Sequence, residues 1–261
     1  MSTLKFSNSR KSQGILPQLR CRMLTCLVWS FLFFWSFTAE LVASHFRGAS
    51  ISASVDSSGI LTVECFAAWR TTFIGGVSVT LHSASNTNRN INLKTMSQIS
   101  VAVSQTGVEY PGGEAFTVRR HVFRNDISAF APGDYVARFY SAARVFGIVN
   151  VGSTSFAVES LFHYTPGVTS RAPVMVPATI DMIAINYDWS QNLFASDPDG
   201  NPLSYSFIFG PNNPDWGTNF QIPGLTIDAL GQLEIPAAST ATLLNESRYA
   251  YKVRVTDASG E

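Results

Sequence analysis

The stretch Leu193-Phe-Ala-Ser-Asp-Pro-Asp-Gly-Asn-Pro-Leu-Ser-Tyr-Ser-Phe207 constrains the fold more than any other part of the chain. It reads as strand, acidic turn, strand. Pro198 fixes φ, Gly200 supplies a positive φ, and Asp and Asn side chains bond their own backbone, so residues 197–201 predict a tight turn. Leu203, Tyr205 and Phe207 then alternate with Ser204 and Ser206, the period of a half-buried antiparallel strand. The turn also gathers the carboxylates of Asp197 and Asp199 and the amide oxygen of Asn201. That donor set suits a hard cation such as calcium.

The same two-residue period recurs along the chain. Ser50–Val55 alternates, Asp56-Ser-Ser-Gly59 turns and Ile60–Phe66 returns, which predicts a hairpin with a four-residue loop. Further strands are expected at Val77–Leu81, Ile99–Val103, Phe116–Phe123, Tyr135–Tyr140 and Ser155–Phe162. Turn clusters at Tyr110–Gly113 and Ala131–Asp134 separate them, the spacing of a sandwich. After Ser170-Arg-Ala-Pro-Val174, strands are expected at Leu193–Phe194, Leu203–Phe209, Leu225–Ile227, Gln232–Ile235 and Tyr249–Val255, with a turn at Asp228–Gly231. Only 14% of residues are charged and 46% are hydrophobic, which favours β-sandwiches over helical bundles. The formal net charge is zero, so no electrostatic footprint for nucleic acid exists.

The N-terminus has its own logic. Lys5, Arg10, Lys11, Arg20 and Arg22 precede the apolar run from Met23 to Phe37, and the small-residue exit Leu41-Val-Ala-Ser44 follows. This is the form of a secretory signal peptide over residues 1–44, with a signal anchor as the alternative. Cleavage before His45 or one residue earlier satisfies the rule. Secretion to the extracellular space or cell surface is therefore expected. Cys21 and Cys26 leave with such a signal, and Cys65 is then unpaired, a buried strand thiol or one with a partner outside the chain. Asn245-Glu-Ser247 is a glycosylation sequon at Asn245, consistent with secretion in a eukaryote.

Four motifs in order make the last third resemble the cadherin-like, dystroglycan-type and immunoglobulin-like repeats of surface proteins. They are Arg171-Ala-Pro173, Ala195–Tyr205, Gly224-Leu-Thr-Ile-Asp-Ala-Leu-Gly-Gln-Leu233 and Tyr251-Lys-Val-Arg-Val-Thr-Asp257. The resemblance implies a β-sandwich over residues 171–261, and a calcium site near Asp197, Asp199 and Asp257, with Asn201 where the family carries Asp. The Asp-Arg-Glu and Asp-x-Asn-Asp-Asn motifs of true cadherins are absent. His45-Phe-Arg-Gly48 also looks like the start of secreted proteins that precede such repeats, and this implies no activity. The fold expected is all-β: two tandem antiparallel sandwiches, at residues 45–168 and 171–261. The sequence stops at a strand and turn, which leads us to expect a fragment of a longer polypeptide.

Catalytic signatures are missing: no Gly-x-Ser-x-Gly elbow, His-Glu-x-x-His, phosphate loop or dinucleotide fingerprint occurs. A non-enzymatic adhesion or recognition protein is the expectation, with extracellular protein or glycan partners and membrane contact through a signal anchor or a C-terminal continuation. Two alternatives come from other classes. Tyr187, Trp189 and Trp216 could stack on sugars as a carbohydrate-binding module, although aromatics in a small sandwich usually fill its core. A mature N-terminal His45 could bind copper, in the manner of lytic polysaccharide monooxygenases, with His82, His121 or His163. Without that role, His121 reads as a strand-face residue and His163 as interface packing. Arg70, Arg119, Arg120, Arg124, Arg138 and Arg144 read as a solvated face.

Overall fold

The computed structural model describes residues 46–71, 76–86, 88, 91–109, 113–142, 144–145, 147–151, 155–175, 181–208, 221–245 and 247–261. The expected signal peptide, His45 and Trp216 lie outside these residues. The fold is all-β and its paired strands run antiparallel. The first part builds two sheets. One has the order β5-β6-β2-β1-β9, from Gln98–Val108, Ala115–Asp126, Ile60–Arg70, Phe46–Val55 and Ser170–Arg171. The other has the order β4-β3-β7-β8, from Lys94–Thr95, Val79–Ser83, Gly133–Ser141 and Phe156–Tyr164.

Alternation decides what lies between them. On β2, Leu61, Val63, Cys65 and Ala67 are fully buried, and β3, β7 and β8 send in Val79, Leu81, Ala137, Phe139 and Phe162. Phe46 joins the two layers, with its ring 5.0 Å from Trp69, 5.5 Å from Phe139 and 4.6 Å from Phe156. Such tilted and edge-on pairs add to what burial alone contributes. Tyr135 pins the start of β7 by donating its O–H to the Ala131 carbonyl at 2.6 Å. Cys65 sits unpaired in this core, and burial holds its thiol far above the ordinary range.

The second part is smaller. β10 (Trp189–Asn192), β13 (Gln232–Ile235) and β12 (Thr226–Ile227) form one sheet; β11 (Ser204–Phe207) pairs with β14 (Val253–Thr256) in another. Leu193, Ile222, Leu225, Leu233, Ile235 and Leu243 form the centre of its core, with Trp189, Tyr205, Phe207 and Tyr251 packed around them. A single helical turn, α1 (Ala237–Thr240), closes the connection after β13.

Three features differ from the sequence reading. The first strand of the second part ends at Asn192, before Leu193–Phe194, because the Asn192 side chain accepts from the Phe194 N–H at 2.7 Å and Phe194 takes φ 47°. The acidic turn after it is also not a hairpin. β10 pairs with β13 and β11 pairs with β14, so residues 197–201 carry the chain from one sheet to the other. The arginine reading also changes in part. Arg138 is buried beside Glu159 and over the Tyr140 ring, and Arg144 is buried against the Phe156 ring. Long aliphatic stems let guanidinium groups enter such positions when a carboxylate or a ring face meets the charge.

Candidate functional site

The acidic turn belongs to a set of four. Asp56, Asp197, Asp228 and Asp257 each accept, through Oδ1, from the N–H groups two and four residues ahead at 2.8–3.0 Å. In each, the glycine three residues on has positive φ and donates its N–H to the aspartate carbonyl. One Asp-x-x-Gly device thus makes the β1–β2 turn, the sheet-crossing turn, the β12–β13 turn and the turn after β14. A carboxylate that accepts two backbone N–H groups replaces bonds the strand ladder would otherwise supply. The first role of these aspartates is structural.

Position separates the four. The turns at Asp197 and Asp257 lie together at the border between the two cores, on a hollow of about 450 Å³. Asp199, Asn201 and Asp257 line it, as do Asp134 at the start of β7 and Glu261. Three of the four residues expected around a cation are thereby brought together. Asp197 is not among the lining residues; its Oδ1 is spent on its own turn and its Oδ2 is buried without a partner. Asp257 is buried and its carboxylate also accepts from the Ser259 hydroxyl.

Basic groups answer some of this charge. Arg171 lies 3.3 Å from Asp199, and His163 Nδ1 lies 2.7 Å from Asp134. Both pairs are well exposed, so each contributes little on its own. Glu261 accepts from the His163 backbone N–H at 3.0 Å and from the Ser170 hydroxyl. Four carboxylates therefore face one guanidinium and one imidazole. Among the described residues, no group of three or more His, Cys, Asp or Glu side chains is arranged to hold a metal as it stands. The donor types fit calcium; their present bonds are to protein.

Apart from the hollow, a polar seam joins the two parts, and none of its residues lines the hollow. Asn150 donates Nδ2–H to the Ala250 carbonyl at 2.7 Å and accepts from its N–H at 2.9 Å, as a neighbouring strand would. Val149 N–H reaches the Arg248 carbonyl at 2.9 Å, and the Arg248 guanidinium meets Glu109 at 2.8 Å. Glu109 also pairs with the buried Arg47, and Arg47 with Glu114. The Ser50 hydroxyl donates to the Met175 carbonyl at 2.9 Å. Glu109, Asn150 and Arg248 carry no motif in the sequence. Their one signal is polar character beside turn-forming residues, which many surface loops share.

The other candidates are placed as follows. His82 is buried with Nε2 on the Thr80 hydroxyl and Nδ1 on the Ile91 carbonyl, and His121 is buried beside Gln98. Burial, then the Arg119 charge, lowers the His121 pKa to about 4. Trp189 packs on the second core, whereas Tyr187 is exposed. Asn245 stands exposed on a turn, open to modification. No helix of the described residues is long and apolar enough to cross a membrane. Comparison of the sequence with family models and with curated proteins finds no match.

Proposed function

We propose that this chain is a non-enzymatic extracellular or cell-surface protein of adhesion or recognition, built from two sandwich modules, the second cadherin-like. The observation that supports it is the polar seam, which joins two cores through buried side chains and leaves the turns between strands outward. Turns on a rigid β-scaffold are where recognition residues are commonly presented. The second module's order of motifs and its pairing of β11 with β14 agree with this reading. Secretion, and glycosylation at Asn245, follow from the N-terminal segment and the sequon.

We further propose that calcium is held at the hollow by Asp199, Asn201 and Asp257, with Asp134 and Glu261 adding charge. The excess of carboxylates over basic groups supports it, and hard oxygen donors match the ion. Calcium sites in extracellular modules work at about 0.1–1 mM, so a weak site suits this setting. Binding would cost the Arg171–Asp199 pair and would brace the two modules against each other.

The test is expression of the full chain in a eukaryotic secretory host, followed by thermal melting with millimolar calcium or with chelator. A secreted, glycosylated product whose melting rises with calcium supports the proposal. Retention inside the cell sinks the extracellular reading, and melting unaffected by calcium sinks the calcium one.

A further inference from the structure

The long edge strand of the first module points to a second function of the surface. Among the described residues, β5 has β6 on one side and no strand on the other, and ten of its eleven residues are exposed, Gly107 being the half-buried exception. Ile99, Val101, Val103 and Val108 are at least half exposed. An edge of this kind presents unpaired N–H and C=O groups in a row, and proteins normally guard it with charge, proline, shortness or bulges; β5 has only two register shifts, which leave Ser100–Val103 regular between them. The other edges of the two large sheets are guarded. β4 and β9 are two residues long, and β8 carries Glu159 and His163. β5 has no charged residue and no proline along Gln98-Ile-Ser-Val-Ala-Val-Ser-Gln-Thr-Gly-Val108.

Its sequence also reads the same in both directions about Ala102, as Ser100-Val101-Ala102-Val103-Ser104. Ser100–Val103 is the regular stretch of β5, since Ile99 before it and Ser104 after it fall at the two register shifts against β6. Val101 and Val103 stand opposite His121 and Arg119, whereas Ser100 and Ala102 stand opposite Val122 and Arg120, so the two valines share one face. A two-fold interface requires that if residue i meets j, then j meets i. An antiparallel pair centred on Ala102 meets that requirement with like chemistry at its centre: Val101 faces Val103 twice, and Ala102 faces its own copy. No like charges oppose each other across such a pair.

We propose that β5 pairs antiparallel with β5 of a second copy of this chain, about a two-fold axis at Ala102, to make one continuous sheet across a homodimer. Main-chain hydrogen bonds supply the join, and four valines close over one face of it. The partner is a second copy because the palindrome matters for self-pairing and has no bearing on an unrelated strand. The interface is small, at the weak end of the range for specific complexes, so a reversible dimer is expected.

Sedimentation of the full chain from about 1 to 100 µM tests this, because a dimer of micromolar affinity appears across that range. A monomer–dimer equilibrium is expected, and Val101→Lys or Val103→Lys should return the protein to monomer, with melting unchanged at the dilute end where the parent is monomeric too, since both side chains are exposed. Ala102→Cys provides a second, register-specific readout. Residues facing each other in an antiparallel pair have Cα atoms about 4.5–5.5 Å apart, within disulfide range. Oxidation should therefore yield a covalent dimer absent from the parent chain. A monomer at every concentration, a dimer untouched by either lysine, growth past the dimer, or no cross-link at position 102 would each overturn the proposal.

Discussion

Replacing Asn150 by Ala probes the seam at its most specific contact. The residue is 6% exposed and makes two bonds to one residue, donating to the Ala250 carbonyl and accepting from its N–H. Truncation leaves a donor and an acceptor without partners, and each such loss costs about 1–3 kcal/mol when the group is buried. Ala250 is half-buried, so water reaches it in part and the lower end applies to both. The expected cost is thus about 2 kcal/mol. In a unit spanning residues 43–261, that lowers Tm by about 4–8 °C. Asn150→Asp keeps the acceptor for the Ala250 N–H but sets a carboxylate oxygen against its carbonyl, so it should be no better than Ala. Differential scanning calorimetry reads the stability, and hydrogen exchange at the Ala250 amide reads the bond itself. A loss under about 0.5 kcal/mol, the scatter of ordinary surface changes, with unchanged exchange at Ala250 would refute the seam.

Three further outcomes follow from the same structure. Gly231→Ala should destabilise more than Gly200→Ala: both have positive φ, which alone costs about 1–2 kcal/mol, but a Cβ at Gly231 meets the Tyr205 ring at 2.8 Å while one at Gly200 meets open space. Urea midpoints compare the two. His121 titrates at about 4 in the fold against about 6.5 when unfolded, so the unfolded chain binds more protons between those values. Its contribution is therefore whole above pH 6.5 and falls as pH drops toward 4, by up to about 3 kcal/mol. His121→Gln should flatten the part of the pH–stability curve between 6.5 and 5. Cys65 is fully buried with its thiol pKa raised, so a thiol reagent should fail to label it in native protein and label it readily in denaturant, as mass spectrometry of tryptic peptides would record.

The strands of the first part were legible as runs rich in β-branched and aromatic residues bounded by turns, although only β2 of the three named next buries alternate residues. Ile60–Phe66, Phe116–Phe123 and Tyr135–Tyr140 all fall inside observed strands, and the Asp56 turn joins β1 to β2 as its spacing demands. The second part was legible in its turns and less so in its pairing. Four-residue strands supply little periodicity, so nothing local distinguishes a hairpin at residues 197–201 from a crossing between sheets. β4 and β9, at two residues each, offer no pattern at all. Asp199, Asn201 and Asp257 could be nominated from chemistry and resemblance, and they do share one hollow. Asp134 and Glu261 join them through tertiary placement alone. The recurrence of Asp-x-x-Gly was present in the sequence at 56, 197, 228 and 257, and it explains why an acidic turn is first a device of backbone satisfaction.

Direct titration of the full chain with calcium by calorimetry bears most closely on the central proposal, that the hollow lined by Asp199, Asn201 and Asp257 is a cation site. The account predicts saturable binding in the sub-millimolar to millimolar range, abolished in the Asp199→Asn, Asp257→Asn double variant and kept in Asp228→Asn, whose turn lies away from the hollow. No heat of binding at millimolar calcium, or binding that survives the double variant, would contradict it and leave these carboxylates as turn-forming groups alone.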